Sequence, residues 1–298
     1  MKKARKRRFG DRKEGRYLRE LDAYYGLTPF IMKTRTDSQN YFSDCVEISE
    51  TDRFLRAKRR EGYPGLGILH LFVAAYVRTV SQKPAINRFV SGQRIYARDN
   101  IEFVMSIKKE MKSDAGETSI VVYFEPEDTI FDVYNKMNAE IDLVKDGEET
   151  ETGDLANAFM KIPRPILKFI IWFIEKLDYF GGLPKFLLKG SPFHGSMIIT
   201  DLGSLGIPPI YHHLYNFGNL PVFLSFGAKR RENELQSDGS IKEKKYIDFM
   251  AVVDERICDG FYFAQAFKLM KSYLRKPEQL EQPPETVFED MPTKSISG

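Results

Sequence analysis

The stretch Asp254-Glu255-Arg256-Ile257-Cys258-Asp259-Gly260 decides the fold assignment of this chain. It follows residues 245–253, which read as a strand, and it precedes an apolar, helix-like run from Phe261 to about Leu274. The order therefore predicts a strand, a charged turn and a helix that stops before Lys276-Pro277.

The sequence upstream of this turn predicts further strands. Residues 222–229 and 245–253 bracket the turn Ser237-Asp238-Gly239-Ser240, which is typical of a hairpin. Before them, Met197-Ile198-Ile199-Thr200 predicts another strand, followed by a loop rich in glycine and proline.

The first half of the chain alternates strand and helix patterns. Ser49 and Asp52 have the spacing of a capping box that would open a helix over 53–61. Residues 68–80 are apolar on more than one face, which predicts a central helix, and Asp128 is expected to cap a helix over 129–144. Strands are predicted at 41–48, 94–96, 101–107 and 119–124. The absence of a regular βαβ rhythm favours a single α/β domain, with a mixed sheet covered by helices.

The distribution of charge suggests the domain boundaries. The 298 residues carry a net charge of only +3, but residues 2–19 hold ten lysines or arginines. We expect 1–20 to be a basic flexible arm, 21–275 the folded domain and 276–298 a Pro-rich acidic tail. The arm has little aromatic interleaving and no nucleic-acid fold signature, so we expect no nucleic-acid partner.

The cysteines and the apolar segments bear on localisation. Cys45 and Cys258 are far apart and match no metal-ligand spacing, which favours a reducing compartment and no metal. The basic N-terminus has no apolar stretch behind it, and the apolar run 166–174 is too short to span a bilayer. We therefore expect a cytoplasmic protein without a transmembrane segment.

The turn at 254–260 resembles the active-site signature of the acyltransferase (dihydrolipoyl transacylase) component of 2-oxo acid dehydrogenase complexes and of chloramphenicol acetyltransferases. That signature reads His-x-x-x-Asp-Gly, often within Asp-His-Arg-x-x-Asp-Gly, and Glu255 occupies the histidine position. The block 196–207, the strand 221–228 and the region 83–96 resemble further parts of the family pattern in the same order. The resemblance covers roughly residues 30–275.

The resemblance implies a chloramphenicol acetyltransferase-like fold and a homotrimer with active sites at subunit interfaces. It implies coenzyme A or acyl-coenzyme A as substrate, and a small-molecule or lipoyl-type acyl acceptor. Thr200 falls on the hydroxyl position that stabilises the oxyanion, while Asp259, Arg256 and Gly260 fall on structural or orienting positions. No lipoyl domain is visible, so a free-standing catalytic domain is expected.

Glu255 is the departure that matters for chemistry. Proton transfer from a thiol is uphill by about 3 kcal/mol to a histidine and by about 6 kcal/mol to an unperturbed glutamate. Glu255 is therefore either a weaker base, on the order of a hundredfold slower, or a structural residue paired with Arg256 or a lysine.

Other residues could replace the missing histidine. His212 and His213 lie in the loop after the Thr200 strand and are possible substitute bases, although solvated loop histidines are the alternative. His70 is expected to be a core histidine, His194 a boundary residue and Cys258 a small buried residue.

Two functions follow from these observations. The first is a coenzyme A-dependent acyltransferase, with full, weakened or degenerate activity. The second is a non-catalytic trimeric scaffold or binding module on the same fold. The apolar segment 166–188 could line an acyl pocket, cover a trimer contact or touch a membrane, although ordinary packing is the default.

Overall fold

The computed structural model describes residues 7–108, 117–145 and 150–291. Its strands are β1 (Gly15–Tyr17), β2 (Gln39–Glu47), β3 (Arg88–Ser91), β4 (Arg94–Arg98), β5 (Ile101–Lys108), β6 (Glu117–Phe124), β7 (Met197–Asp201), β8 (Val222–Leu235) and β9 (Ile241–Asp254). The main sheet has the order β2-β9-β8-β7-β5-β6, and a smaller sheet has the order β1-β4-β3. Because β7 is parallel to β5 and β8 while the other pairs are antiparallel, the predicted mixed sheet is confirmed.

Helices connect and flank these strands. They are α1 (Ala23–Ile31), α2 (Ser49–Arg60), α3 (Ile68–Gln82), α4 (Ile130–Lys145), α5 (Glu151–Met160), α6 (Arg164–Phe180), α7 (Lys185–Gly190) and α8 (Gly260–Arg275). As predicted, α3 is central, because it is buried along almost its whole length. Phe72 of α3 stacks on Phe226 of β8 with ring centroids 4.6 Å apart, which joins the helix layer to the sheet.

Two helix starts differ from the prediction. Helix α2 begins at Ser49 itself, and Asp52 is buried where it binds Lys229 and Lys245 from the sheet, so the expected capping box is not formed. Helix α4 is opened by Thr129, whose hydroxyl accepts from the Asp132 amide. The expected cap, Asp128, instead accepts from the Glu125 amide.

The boundary expected at residue 20 is wrong for residues 7–20, which are part of the domain. Strand β1 pairs with β4, and both Arg12 and Arg16 are buried. Arg12 donates to the carbonyl oxygens of Asp178 and Tyr179, at the C-terminal end of α6. Carbonyls at a helix C-terminus attract cations, so Arg12 is held by the fold and is not solvated. Residues 1–6 lie outside the described residues.

The boundary expected at residue 276 is also wrong as far as residue 291. Leu280 is buried, and the Phe288 amide donates to the Ser81 carbonyl. Asp290 accepts two hydrogen bonds of 2.7 Å from the Arg88 guanidinium, and its carbonyl accepts from Arg16. The proline-rich segment is thus bound to the domain by buried charge, while 292–298 lie outside the described residues.

The segment between β6 and β7 is helical. Helix α5 begins at Glu151, inside the polar, acidic stretch 146–154, of which 146–149 lie outside the described residues. Helix α6 ends at Gly181, whose φ of +75° is the left-handed conformation that glycine adopts readily. Among the described residues, no helix is both long enough and apolar enough to cross a membrane.

Candidate active site

The turn after β9 is fixed by a buried ion pair. The Arg256 guanidinium donates to both carboxylate oxygens of Asp254 at 2.8 and 2.7 Å, and the two side chains are 3% and 1% exposed. Asp254 also accepts from the Ser38 hydroxyl at 2.9 Å, and the Glu255 amide donates to the Ser38 carbonyl at 2.8 Å. The backbone on both sides of Glu255 is therefore held in place.

The Glu255 side chain itself is exposed. The ion pair considered between Glu255 and Arg256 does not form, because Arg256 is committed to Asp254 and to the carbonyl of Met32, 3.0 Å away. Within 7–108, 117–145 and 150–291, the Glu255 carboxylate has no hydrogen bond or ion pair. A rigid turn thus presents a carboxylate to solvent.

Asp259 caps α8. One carboxylate oxygen accepts from the Tyr262 amide at 2.6 Å, and the other accepts from the Tyr25 hydroxyl at 2.7 Å. These two hydrogen bonds lower the pKa of Asp259. The hydrogen bond between Tyr25 and Asp259 also raises the pKa of Tyr25 to about 12. Gly260 is the first residue of α8, and a Cβ there would meet no atom within 4 Å. Asp259 therefore fixes the end of the signature turn, and α1 supports it through Tyr25.

Thr200 lies on β7, half-buried, far from Glu255 in the same chain. It pairs with Ser225 of β8, which in turn pairs with Met250 of β9. Glu255 lies five residues beyond Met250, so the two positions are separated by roughly 17 Å along the strands and by two strand spacings across them. A separation of roughly 20 Å means that Thr200 and Glu255 of one chain cannot act on the same bond.

His212 lies nearer to Thr200. Its ring stacks on Phe223 of β8 with centroids 4.2 Å apart and an interplanar angle of 9°. Phe223 pairs with Ile198, two residues before Thr200, so these side chains share the sheet face opposite the helices. Burial and the neighbouring His213 lower the pKa of His212, which favours its neutral form.

The remaining candidates lie in three different environments. His213 is exposed and meets the edge of the Tyr215 ring. His70 is a core histidine, as expected, whose Nδ1 accepts from the Gly67 amide and whose pKa is lowered to about 4 by burial. Cys258 is buried, as expected, and burial raises the pKa of its thiol. In the described part of the chain, no three His, Cys, Asp or Glu side chains are grouped so that they could hold a metal ion.

A cleft of about 200 Å³ lies beside the turn and was not predicted. Its walls include Arg35, Asp178 at the end of α6, and Arg256. Arg35 is buried and donates to the carbonyls of Tyr215, Asn216 and Gly218. No sequence signal indicates these contacts, because backbone carbonyls about 180 residues away carry no residue type that could be recognised.

Comparison with known proteins identifies the fold. No protein-family profile and no curated protein matches the sequence. Among solved structures, the cubic core of the pyruvate dehydrogenase multienzyme complex superposes with a TM-score of 0.57 at 12% identity, over 88% of this chain and 93% of that one. A dihydrolipoamide acetyltransferase from Azotobacter vinelandii gives 0.54 at 12% identity, over 88% and 93% of the two chains. A chloramphenicol acetyltransferase gives 0.54 at 12% identity, over 87% and 99%. The chain therefore has the chloramphenicol acetyltransferase-like fold.

Proposed function

We propose that this protein is a coenzyme A-dependent acyltransferase in which Glu255 is the general base. The observation that carries the proposal is the exposed Glu255 carboxylate on a turn held by the Asp254–Arg256 ion pair. A glutamate that had become only structural would be expected to be paired with a nearby cation, and Arg256 is instead used by Asp254.

The proposed active site is formed between subunits of a homotrimer. Thr200 and Glu255 are too far apart to meet in one chain, so we assign Thr200 of one subunit and Glu255 of its neighbour to the same site. The similar structure from the pyruvate dehydrogenase multienzyme complex is a cubic core, in which the chains assemble with one another. This similarity supports an oligomer here. Closed cyclic symmetry would give one such site at each interface.

In the proposed reaction, Glu255 accepts the proton of the acceptor thiol, and the thiolate attacks the carbonyl carbon of acyl-coenzyme A. The Thr200 hydroxyl donates a hydrogen bond to the oxyanion of the tetrahedral intermediate. When the intermediate collapses, the bond from carbon to the coenzyme A sulfur breaks, and that sulfur takes the proton back from Glu255. The acceptor leaves as a thioester and coenzyme A leaves as a thiol.

A relative supports the choice of residues. The Azotobacter structure was determined to investigate the catalytic roles of one serine, one histidine and one asparagine, with the last two four positions apart in its chain. The serine precedes the histidine by 52 positions. Glu255 and Asp259 have the same four-residue interval, and Thr200 is 55 positions before Glu255. Thr200, Glu255 and Asp259 thus have the order, and nearly the spacing, of the serine, histidine and asparagine in the Azotobacter protein.

The test measures release of the coenzyme A thiol from acetyl-coenzyme A with dihydrolipoamide as acceptor. Glu255→Gln is expected to lower kcat/KM at least a hundredfold, since loss of a general base typically costs 10²–10⁴. Glu285→Gln, an exposed glutamate outside the site, is the matched control and should keep full activity. Glu255→His is expected to raise the rate, because a histidine is the stronger base toward a thiol.

Two results would contradict the assignment of Glu255 as the general base of an acyltransferase. Full activity in Glu255→Gln, with loss in His212→Gln, would move the base to the histidine beside Thr200. No turnover in the parent, together with no change in its melting temperature at millimolar coenzyme A, would favour the non-catalytic scaffold, because a ligand that binds the native state stabilises it.

A further inference from the structure

Helix α6 turns an apolar face to the outside of the molecule. Its inward side is centred on Ile174, which is 7% exposed. At 100° per residue, its most exposed large side chains occupy one continuous arc of about 120° on the opposite side. These are Ile166, Phe169, Trp172, Phe173 and Phe180, with exposed fractions of 53, 62, 50, 48 and 81%. A surface helix normally has polar residues on its outward side, whereas α6 has apolar residues there.

Helices α5 and α7, which flank α6 in the sequence, also expose large apolar side chains. Met160, the last residue of α5, is 78% exposed, and Phe186 of α7 is 66% exposed. Isolated exposed apolar residues are common, but an arc of five on one helix marks a surface that contacts something.

The charges around this face are mostly positive. Residues 161–189 hold six basic and two acidic residues, a net charge of +4. Of the two acids, Asp178 is committed to Arg12, which leaves Glu175 as the exposed one in this range. The exposed basic side chains include Lys161, Arg164, Lys168, Lys176 and Lys185. The face is therefore complementary to a negatively charged partner.

The position of Lys176 decides what that partner is. It lies within the apolar arc, and its Nζ is 5.9 Å from the centroid of the Trp172 ring. Against the same α6 face of a second copy, as in a two-fold contact, Lys176 would be buried beside equal positive charge, which is strongly unfavourable. At a bilayer surface, the rings enter the acyl boundary while the ammonium group extends to the anionic headgroups.

We propose that α6 docks the protein onto the surface of an anionic phospholipid bilayer. The helix lies in the interface plane along its length of about 25 Å, with the arc from Ile166 to Phe180 inserted. The docking is independent of the proposed acyl transfer, because none of the α6 arc belongs to the assigned catalytic residues.

Trp172 is the only tryptophan of the chain and reports directly on this contact. The full-length protein is mixed with vesicles of phosphatidylcholine, or of an equimolar mixture of phosphatidylcholine and phosphatidylserine. We expect a blue shift of the tryptophan emission and co-sedimentation with the anionic vesicles, both weakened by salt, and little response to phosphatidylcholine alone. An unchanged spectrum together with no co-sedimentation on the anionic vesicles overturns the proposal.

Two variants separate the apolar and charged contributions. Phe169→Ser/Phe173→Ser/Phe180→Ser is expected to weaken partitioning at least tenfold, because three rings lose their apolar burial. Lys168→Gln/Lys176→Gln is expected to weaken it about thirtyfold on anionic vesicles. All five positions are exposed, so the circular dichroism of both variants should match that of the parent.

Matched controls come from exposed residues elsewhere. Leu235→Ser/Ile241→Ser changes apolar residues that are 75 and 71% exposed on the β8–β9 hairpin, and Lys242→Gln/Lys268→Gln removes two exposed charges. Both controls should bind as the parent does. If Phe169→Ser/Phe173→Ser/Phe180→Ser instead lowers the oligomer mass in light scattering while vesicle binding is unchanged, the α6 face is a contact between copies. The membrane proposal is then wrong.

Discussion

Replacing Arg256 with methionine should destabilise the protein far more than the loss of an ordinary surface charge. The guanidinium is 3% exposed and donates twice to Asp254, which is 1% exposed. Without it, the Asp254 carboxylate stays buried with the Ser38 hydroxyl as its remaining side-chain donor among the described residues. Removing one partner of a buried pair typically costs about 3 to 5 kcal/mol, and we expect a loss in that range.

Two further variants give the scale for the stability loss of Arg256→Met. Arg231→Met breaks the exposed pair with Glu243, whose side chains are 67 and 52% exposed, and should cost less than about 1 kcal/mol. The double variant Asp254→Asn/Arg256→Met removes both buried charges and should recover at least half of the loss, because no uncompensated charge remains.

The assay is urea unfolding followed by circular dichroism at one fixed protein concentration. The concentration is kept constant because the stability of an oligomer depends on it. A cost below about 1 kcal/mol for Arg256→Met would show that Asp254 is not held by this ion pair. A double variant no more stable than the single one would show that desolvation of Asp254 is not the origin of the loss.

Two further predictions concern single residues at the ends of elements. The lowered pKa of Asp259 means that its contribution to stability is complete above the unfolded-state pKa of about 4 and is lost as the pH falls through its lower folded-state value. Asp259→Asn should therefore flatten the pH dependence of the urea midpoint below pH 4, and Tyr25→Phe should reduce it; unchanged slopes in both variants would refute this. Gly15→Ala places a Cβ 2.6 Å from the Phe89 ring and should cost about 1 to 3 kcal/mol, whereas Gly260→Ala meets no atom within 4 Å and should be neutral or stabilising. Equal urea midpoints for the two alanine variants would contradict the packing described at β1.

The local elements around the signature were predictable from sequence, because each depends on neighbouring residues. The hairpin turn at Asp238-Gly239, with Gly239 at a φ of +82°, follows from turn chemistry, and α8 from apolar periodicity after Asp259. The resemblance of four blocks in order then led to the fold.

Contacts between distant residues were not predictable. Arg12 belongs to a basic run that is typical of a solvated arm, yet its partners are carbonyls of Asp178 and Tyr179, more than 160 positions later. The same holds for Glu255, whose possible pairing with Arg256 depended on whether Asp254 had already taken that guanidinium. Competition among nearby charges is decided by three-dimensional geometry, which residue spacing does not contain.

The attachment of Asp290 to β1 and β3 has a consequence for synthesis of the protein. Arg88 in β3 and the buried Arg16 in β1 both bind Asp290, so both lack this partner until residue 290 has left the ribosome. The small sheet can therefore reach its final stability only after residue 290 has been translated. A nonsense codon shortly before position 290 would remove this shared partner and leave the small sheet incompletely closed and exposed to proteolysis.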